Sequence, residues 1–335
     1  MKLARGSIWL LILLLISACA HSGQRSREVA SQAKKLRGLF VTTFGSPKDP
    51  PIVYIHGGPG FNAKDFEVST AEQLARAGFF VVSYDQRGQG RSDPAIRGFY
   101  NYRKYSEDLF LLIRDLKIQQ PVLLAHSHGG PVAMEFQENF PNVARAIILV
   151  GAPVDFWKTM QSLVANCSQR YTDLNQLEAL EDLQKNFAKL DAHRTGQESL
   201  VPALASLFSH GLFGCKLYQT KHPTKEELEL RSLVSTSLAP MEQNSMPGFL
   251  VNESYVYQNH FPKVNKHQRF YFGIYGAEDG LFTAKDLEEI SQATSKPRFR
   301  LVTGASHSVF LDQQKAFLEA VKEFHQAMPV WRAAK

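Results

Sequence analysis

Ser127 lies in the stretch Pro-Val-Leu-Leu-Ala-His-Ser-His-Gly-Gly, residues 121–130. An apolar run, Val122 to Ala125, delivers a serine flanked two residues away on each side by a small residue, Ala125 and Gly129. That spacing suits a turn from strand to helix so sharp that a bulky flanking side chain would collide with its neighbours. A serine held on such a turn stands clear of the backbone, where a base can take its proton. An ordinary serine in a strand-to-helix turn has the same local spacing, so the chemistry requires two partners: a base, and an acid that orients the base. Asp279 follows the apolar run Phe270 to Tyr275, within Gly276-Ala277-Glu278-Asp279-Gly280. His307 follows the run Phe299 to Thr303, within Gly304-Ala305-Ser306-His307. Glu278 is the neighbouring acid, but a shift of one residue turns a side chain elsewhere, which favours Asp279. Among 11 histidines, His307 is singled out by standing after the last expected strand.

The elements that would position these residues alternate regularly. Apolar strand-like runs are Pro51–Ile55, Phe79–Tyr84, Val122–Ala125 and Ala144–Val150, with helical spacing between them, as over Tyr105–Ile118 with Leu109, Leu112 and Ile113 on one face. Such alternation predicts a mostly parallel sheet covered on both faces. The order breaks between about 155 and 266, where leucine-spaced polar helices replace strands. It resumes with Phe270–Tyr275, a helix near Ala284–Ala293, the strand Phe299–Thr303 and a last helix over Gln313–Met328. The middle therefore reads as an inserted helical cap, and no internal repeat is present. A parallel sheet places the loops that follow its strands on one edge, which brings Ser127, Asp279 and His307 together.

Two further motifs sharpen the reading. His56-Gly57-Gly58-Pro59-Gly60 follows the first of these strands, and Asp85-Gln86-Arg87-Gly88-Gln89-Gly90-Arg91-Ser92 follows the second. Together with the serine turn they make residues 38–335 resemble the α/β-hydrolase superfamily, and within it the prolyl iminopeptidase family. The resemblance implies an α/β-hydrolase fold, with a core of 38–154 and 267–335 and a helical cap of 155–266. It also implies a Ser127–Asp279–His307 triad acting through an acyl-enzyme, and backbone amides of Gly58 and His128 as an oxyanion hole. For His56, and for the Asp85–Ser92 segment, a structural role that organises loops is the better expectation. No metal or cofactor is implied. A binding protein that has kept the fold and lost the chemistry is the minor alternative.

The family's cap carries a Glu-Asn-His-Tyr-Phe-like segment whose glutamate holds a substrate ammonium. The nearest segment here is Tyr257-Gln258-Asn259-His260-Phe261, so the glutamate has become Gln258. An amide accepts a hydrogen bond but brings no charge to an ammonium. Glu253, with Gln258, is the expected substrate-binding group, and Glu242 is a further candidate. The leading expectation is an aminopeptidase on short peptides, and the alternative is a carboxylesterase or lipase-like enzyme on small esters.

The N-terminus addresses location. Lys2 and Arg5 precede an unbroken apolar run, Ile8 to Ile16, which is short for a membrane span. Ile16-Ser17-Ala18-Cys19 resembles the cleavage site of a bacterial lipoprotein, with 1–18 as signal peptide and Cys19 as the lipidated residue. A plain cleaved signal with an incidental cysteine is the alternative. Ala20 after the cysteine leans toward the outer membrane, with the catalytic domain facing the periplasm. Residues 19–37 are basic and aperiodic and read as a flexible tether. The formal charge of +6 is modest, and no basic motif with aromatic interleaving points to nucleic acid. Cys167 and Cys215 remain as a candidate disulfide in an oxidising compartment, or as two buried thiols. No metal-ligand spacing joins them to a histidine.

Overall fold

Five of the apolar runs become strands with every residue buried: β3 (Pro51–Ile55), β4 (Phe80–Tyr84), β5 (Val122–His126), β6 (Ala146–Val150) and β7 (Tyr271–Gly276). Burial of both faces is what a continuous apolar run, rather than an alternating one, requires. The computed structural model describes residues 29–96, 99–193, 200–237 and 258–328. Three more strands, β1 (Ser31–Leu36), β2 (Leu39–Phe44) and β8 (Phe299–Val302), complete an eight-stranded sheet of order β1-β2-β4-β3-β5-β6-β7-β8. Pairing is antiparallel for β1 with β2 and β2 with β4, and parallel from β4 onward.

The pleat sorts the core into two layers. Val53, Ile55, Leu123, Ala125 and Leu149 face the helices Tyr102–Asp115 and Gly129–Asn139, meeting Leu109, Leu112 and Phe136. Ile52, Tyr54, Leu124 and Ile148 face the other way, onto Phe66, Leu74, Phe317 and Phe324. The second layer includes the helix Gln314–Ala327 and a helical run made of Lys64–Phe66, the π-helical Glu67–Ala71 and Glu72–Arg76.

Residues 31–36 are a correction to the expected tether. They form β1, paired with β2 from Ser31↔Phe44 to Leu36↔Leu39. Arg37 (φ 53°) and Gly38 (φ 81°) make the two-residue turn with positive φ at both positions that suits a tight hairpin. Ser31 to Lys35 are all exposed, so no apolar period marks the strand. The main-chain ladder and the turn hold it, and edge lysines discourage further pairing.

The cap enters and leaves the core through a paired neck. His260 N donates to Val154 O (2.8 Å), Phe156 N to Gln258 O (3.4 Å), and Asp155 bridges Asn259. Its described helices are Phe156–Asp173, Leu177–His193, Leu200–Ser209, the π-helical turn His210–Gly214 and Lys225–Ser237, with Phe261–Lys266 just past the neck. Asp155 caps the first of them, accepting from Lys158 N at 3.0 Å. Cys167 and Cys215 form a disulfide across 48 residues, with Cα atoms 5.5 Å apart. Cap and core are also tied by Ser162 Oγ donating to Asp286 (2.6 Å) and Asn166 to the Gly280 carbonyl (2.8 Å). Among the described residues, no helix is long and apolar enough to cross a membrane.

Candidate active site

The parallel register brings strand ends level. Ile55 lies opposite Ala125, Ala125 opposite Leu149, Val150 opposite Ile274, and Gly276 opposite Val302. The loops that carry Gly58, Ser127, Asp279 and His307 therefore leave one edge of the sheet.

Ser127 has φ +50°, in the left-handed region that non-glycine residues rarely occupy. Its amide donates to Val150 O (2.9 Å), and its carbonyl accepts from Gly130 N (2.9 Å), so the turn is fixed on both sides. The small residue at 129 is required by contact: a Cβ there would sit 2.4 Å from Ile55 O. A strained backbone position of this kind persists only because its surroundings over-determine it.

Asp279 and His307 are both buried, and His307 Nδ1 lies 2.9 Å from Asp279 Oδ2. The carboxylate accepts the Nδ1 proton, which leaves Nε2 as the basic nitrogen. A second bond, Leu281 N to Asp279 Oδ1 (3.1 Å), holds the acid. Glu278 is engaged elsewhere, with Oε2 accepting from Lys221 N at 2.7 Å. Ser127, His307, Gly58 and His128 all line one cavity of about 320 Å³. The cavity thus gathers a serine, a carboxylate-bound imidazole and two glycine-rich turns, the residue types that acyl transfer uses.

The two glycine-rich motifs prove to be a single construction. Gln86 N donates to His56 Nε2 (2.9 Å), which assigns the ring proton to Nδ1, and Nδ1 donates to Gly57 O (2.6 Å). Gln89 Oε1 accepts from Gly60 N (2.8 Å). Asp85 is buried and accepts from Ala63 N (2.9 Å), Arg91 N (2.8 Å) and Arg91 Nε (2.7 Å). Asp85 to Arg91 therefore shape the glycine-rich loop of residues 56–63.

Burial sets the charge state of the surroundings. Desolvation lowers the pKa of His56 and holds that of His126 well below the ordinary value, while the pKa of His128 is driven down to about 3. Two neutral imidazoles, His126 and His128, thus line the cavity, and a third, His56, lies buried beneath the glycine-rich loop. Asp65, half-buried in the cavity wall, is pushed up to about 7 by desolvation, with Glu67 and Asp85 adding repulsion. No basic side chain pairs with Asp65 among the described residues.

The other expected substrate groups lie elsewhere. Gln258 belongs to the cap neck, where its backbone is committed to pairing, and it is not among the cavity-lining residues. Glu253, Glu242 and Cys19 lie outside the described residues. Several contributors carried no signal in the chain. His126 Nε2 reaches His307 O at 3.2 Å, and a Cβ on Gly151 (φ +51°) would lie 3.2 Å from both Asp279 Oδ2 and His307 Nδ1. The Tyr218 ring stands edge-on to the His307 ring, centroids 4.8 Å apart. Each depends on a contact between residues far apart in sequence.

A family model described as the alpha/beta hydrolase fold matches residues 50–314, and the chain belongs to that family. It is 30% identical over 142 residues to a bifunctional esterase/perhydrolase of Acinetobacter calcoaceticus, covering 42% of this chain and 50% of that enzyme. It is 31% identical over 170 residues to a proline iminopeptidase of Lacticaseibacillus rhamnosus, covering 50% of this chain and 54% of that protein. The chain thus spans about half the length of these two relatives. A proline iminopeptidase-related protein of Thermus thermophilus superposes with a TM-score of 0.61 at 22% identity, over 90% of this chain and 98% of that one, a likeness of fold alone.

Proposed function

We propose that the protein is a serine hydrolase that cleaves carboxylic esters of compact apolar acyl groups through an acyl-enzyme. The observation that carries this reading is the joint make-up of one cavity. Ser127 and His307, the latter oriented by Asp279, open into a space also bounded by Phe156, Met160, Phe208, Leu212 and Leu281. Such a wall binds hydrocarbon by removing it from water. In the reaction, Ser127 Oγ attacks the ester carbonyl and its proton passes to His307 Nε2. The same proton then leaves with the alcohol. Water, deprotonated by the same nitrogen, releases the acid and restores the serine.

A second reading, an aminopeptidase on short peptides, draws support from Asp65, whose carboxyl lines the same cavity and would face a substrate ammonium when ionised. Rates on p-nitrophenyl butyrate, proline p-nitroanilide and its N-blocked form separate the two. The ester reading expects turnover of the butyrate and little of either anilide. Turnover of the free-amine anilide, lost on blocking, would replace it with the peptidase. A fluorophosphonate should label the wild type and leave Ser127→Ala unlabelled; labelling of the variant would remove Ser127 from the mechanism.

We also propose export with a lipid on Cys19, holding the domain at the outer membrane on its periplasmic side. The Cys167–Cys215 disulfide supports an oxidising compartment. Mass spectrometry of the mature N-terminus tests it, and a soluble protein beginning at another residue would refute it.

A further inference from the structure

The loop that carries His307 is anchored by a group outside the triad. Ser306 and Asp312 are both buried, and Asp312 Oδ2 accepts from Ser306 N at 2.7 Å, with the Ser306 hydroxyl 2.5 Å from the same oxygen. The other carboxylate oxygen faces the cap. Asp312 Oδ1 accepts from Arg231 Nη2 at 2.5 Å, and Arg231 lies on the cap helix Lys225–Ser237. Arg231 Nε donates in turn to Glu227 Oε1 (2.8 Å), and Glu227, only 2% exposed, accepts from Thr220 Oγ1 at 2.8 and 2.9 Å. A continuous chain of hydrogen bonds therefore runs from Thr220 through Glu227, Arg231 and Asp312 to the residue before His307.

Its far end returns to the triad as well. Residues 217–221 hold the loop that carries Asp279, with Gly280 N donating to Leu217 O (3.1 Å) and Lys221 N to Glu278 Oε2 (2.7 Å). The Tyr218 carbonyl lies 2.9 Å from the Ser306 hydroxyl. Both triad loops thus hang on one short stretch of cap, and Arg231 closes the circuit. An arginine suits this place because its planar fork serves two carboxylates in a fixed geometry, which a lysine cannot reproduce. Largely buried networks of this kind favour one arrangement of the groups they join.

We propose that Arg231 is a positioning residue for the hydrolytic reaction, aligning the His307 loop with the Asp279 loop through Asp312 and so making the cap part of the working site rather than a cover alone. This rests on the serine-hydrolase reading given above. Because displacement of a catalytic group by about 1 Å can cost on the order of 100-fold in rate, a loosened loop should appear in turnover.

The test compares wild type, Arg231→Lys and Arg231→Met on p-nitrophenyl acetate, an acyl group too small to need the cap wall. Rates are expressed per site titrated with fluorophosphonate, which separates slow enzyme from unfolded enzyme. The expected result is a graded fall in kcat, about 3-fold or more for the lysine and about 10-fold or more for the methionine, with KM within about 2-fold. Should the methionine variant fail to fold, the lysine variant decides alone. Unchanged kcat per site, with only thermal stability lowered, would overturn the proposal. So would a rise in KM at constant kcat, which would make Arg231, itself a cavity-lining residue, a substrate contact. A wild type that neither hydrolyses the acetate nor takes the label would defeat the hydrolase reading first, and the proposal with it. An active wild type with indifferent variants defeats the proposal alone.

Discussion

The two walls of the cavity differ in kind. The core wall holds the polar and strained groups: Ser127 at φ +50°, the buried Asp279–His307 pair, and Gly58 at φ +143°. The cap wall is mostly hydrocarbon, with Phe156, Met160, Phe208 and Leu212. Two carboxylates of the core wall also differ. Asp279 is met by His307 and a backbone amide, whereas Asp65 accepts from Phe66 N at 2.7 Å and stands half-buried in the cavity wall. Bond-making power needs groups fixed to tenths of an ångström, which strand ends supply. Selection among acyl groups needs only shape and apolar area, which a packed helical insertion supplies.

The division breaks if Asp279→Asn retains activity. An amide there cannot hold the same tautomer of His307, and kcat should fall by about 10⁴-fold while the far wall still binds substrate. Steady-state kinetics with KM compared directly would check this; a loss confined to KM would mean that the walls share their roles. The cap side is sharpened by Phe208→Ala. Removing that ring should lower kcat/KM for p-nitrophenyl butyrate relative to the acetate by about 10-fold, with the acetate rate little altered. Equal losses on both esters would show that Phe208 serves the chemistry rather than the fit.

The smallest effect concerns Asp65. Its folded pKa of about 7 stands above the ordinary carboxyl value of 3.8, so the folded state binds the proton more tightly than the unfolded chain does. Stability is therefore highest below the unfolded value and declines as pH rises from about 4 through 7. Asp65→Asn should remove that decline. Cavity water screens a half-buried group, so the gain should be about 1–2 kcal/mol at pH 8 and near zero at pH 4. Denaturant unfolding at the two pH values measures it, and a variant less stable at pH 8 than the wild type would contradict the assignment.

Much of the core was legible because its signals are local. A fully buried parallel strand has to read as an apolar run, and a strand-to-helix turn as tight as that at Ser127 has to be flanked by small residues. The choice between Asp279 and Glu278 followed from the alternation of side-chain directions, and the structure puts Asp279 on the imidazole and Glu278 on the Lys221 amide. Local reading failed where the main chain alone holds an element. Ser31–Leu36 looks like tether in sequence because an exposed edge strand needs no apolar residue to form its ladder.

The alternation of strands and helices, the tight turn at Ser127, the loops that carry Asp279 and His307, and the insertion between β6 and β7 are all legible along the chain. Each is written in residues close together along the chain. The packed molecule is what puts Gln258 in the neck of the cap and Asp65 in the cavity. It alone joined His126 to the His307 carbonyl, and Arg231 through Asp312 to Ser306. Those relations are set by how helices and loops pack across the sheet edge. Packing depends on the shapes of surfaces brought together from distant parts of the chain, and no local spacing encodes that meeting.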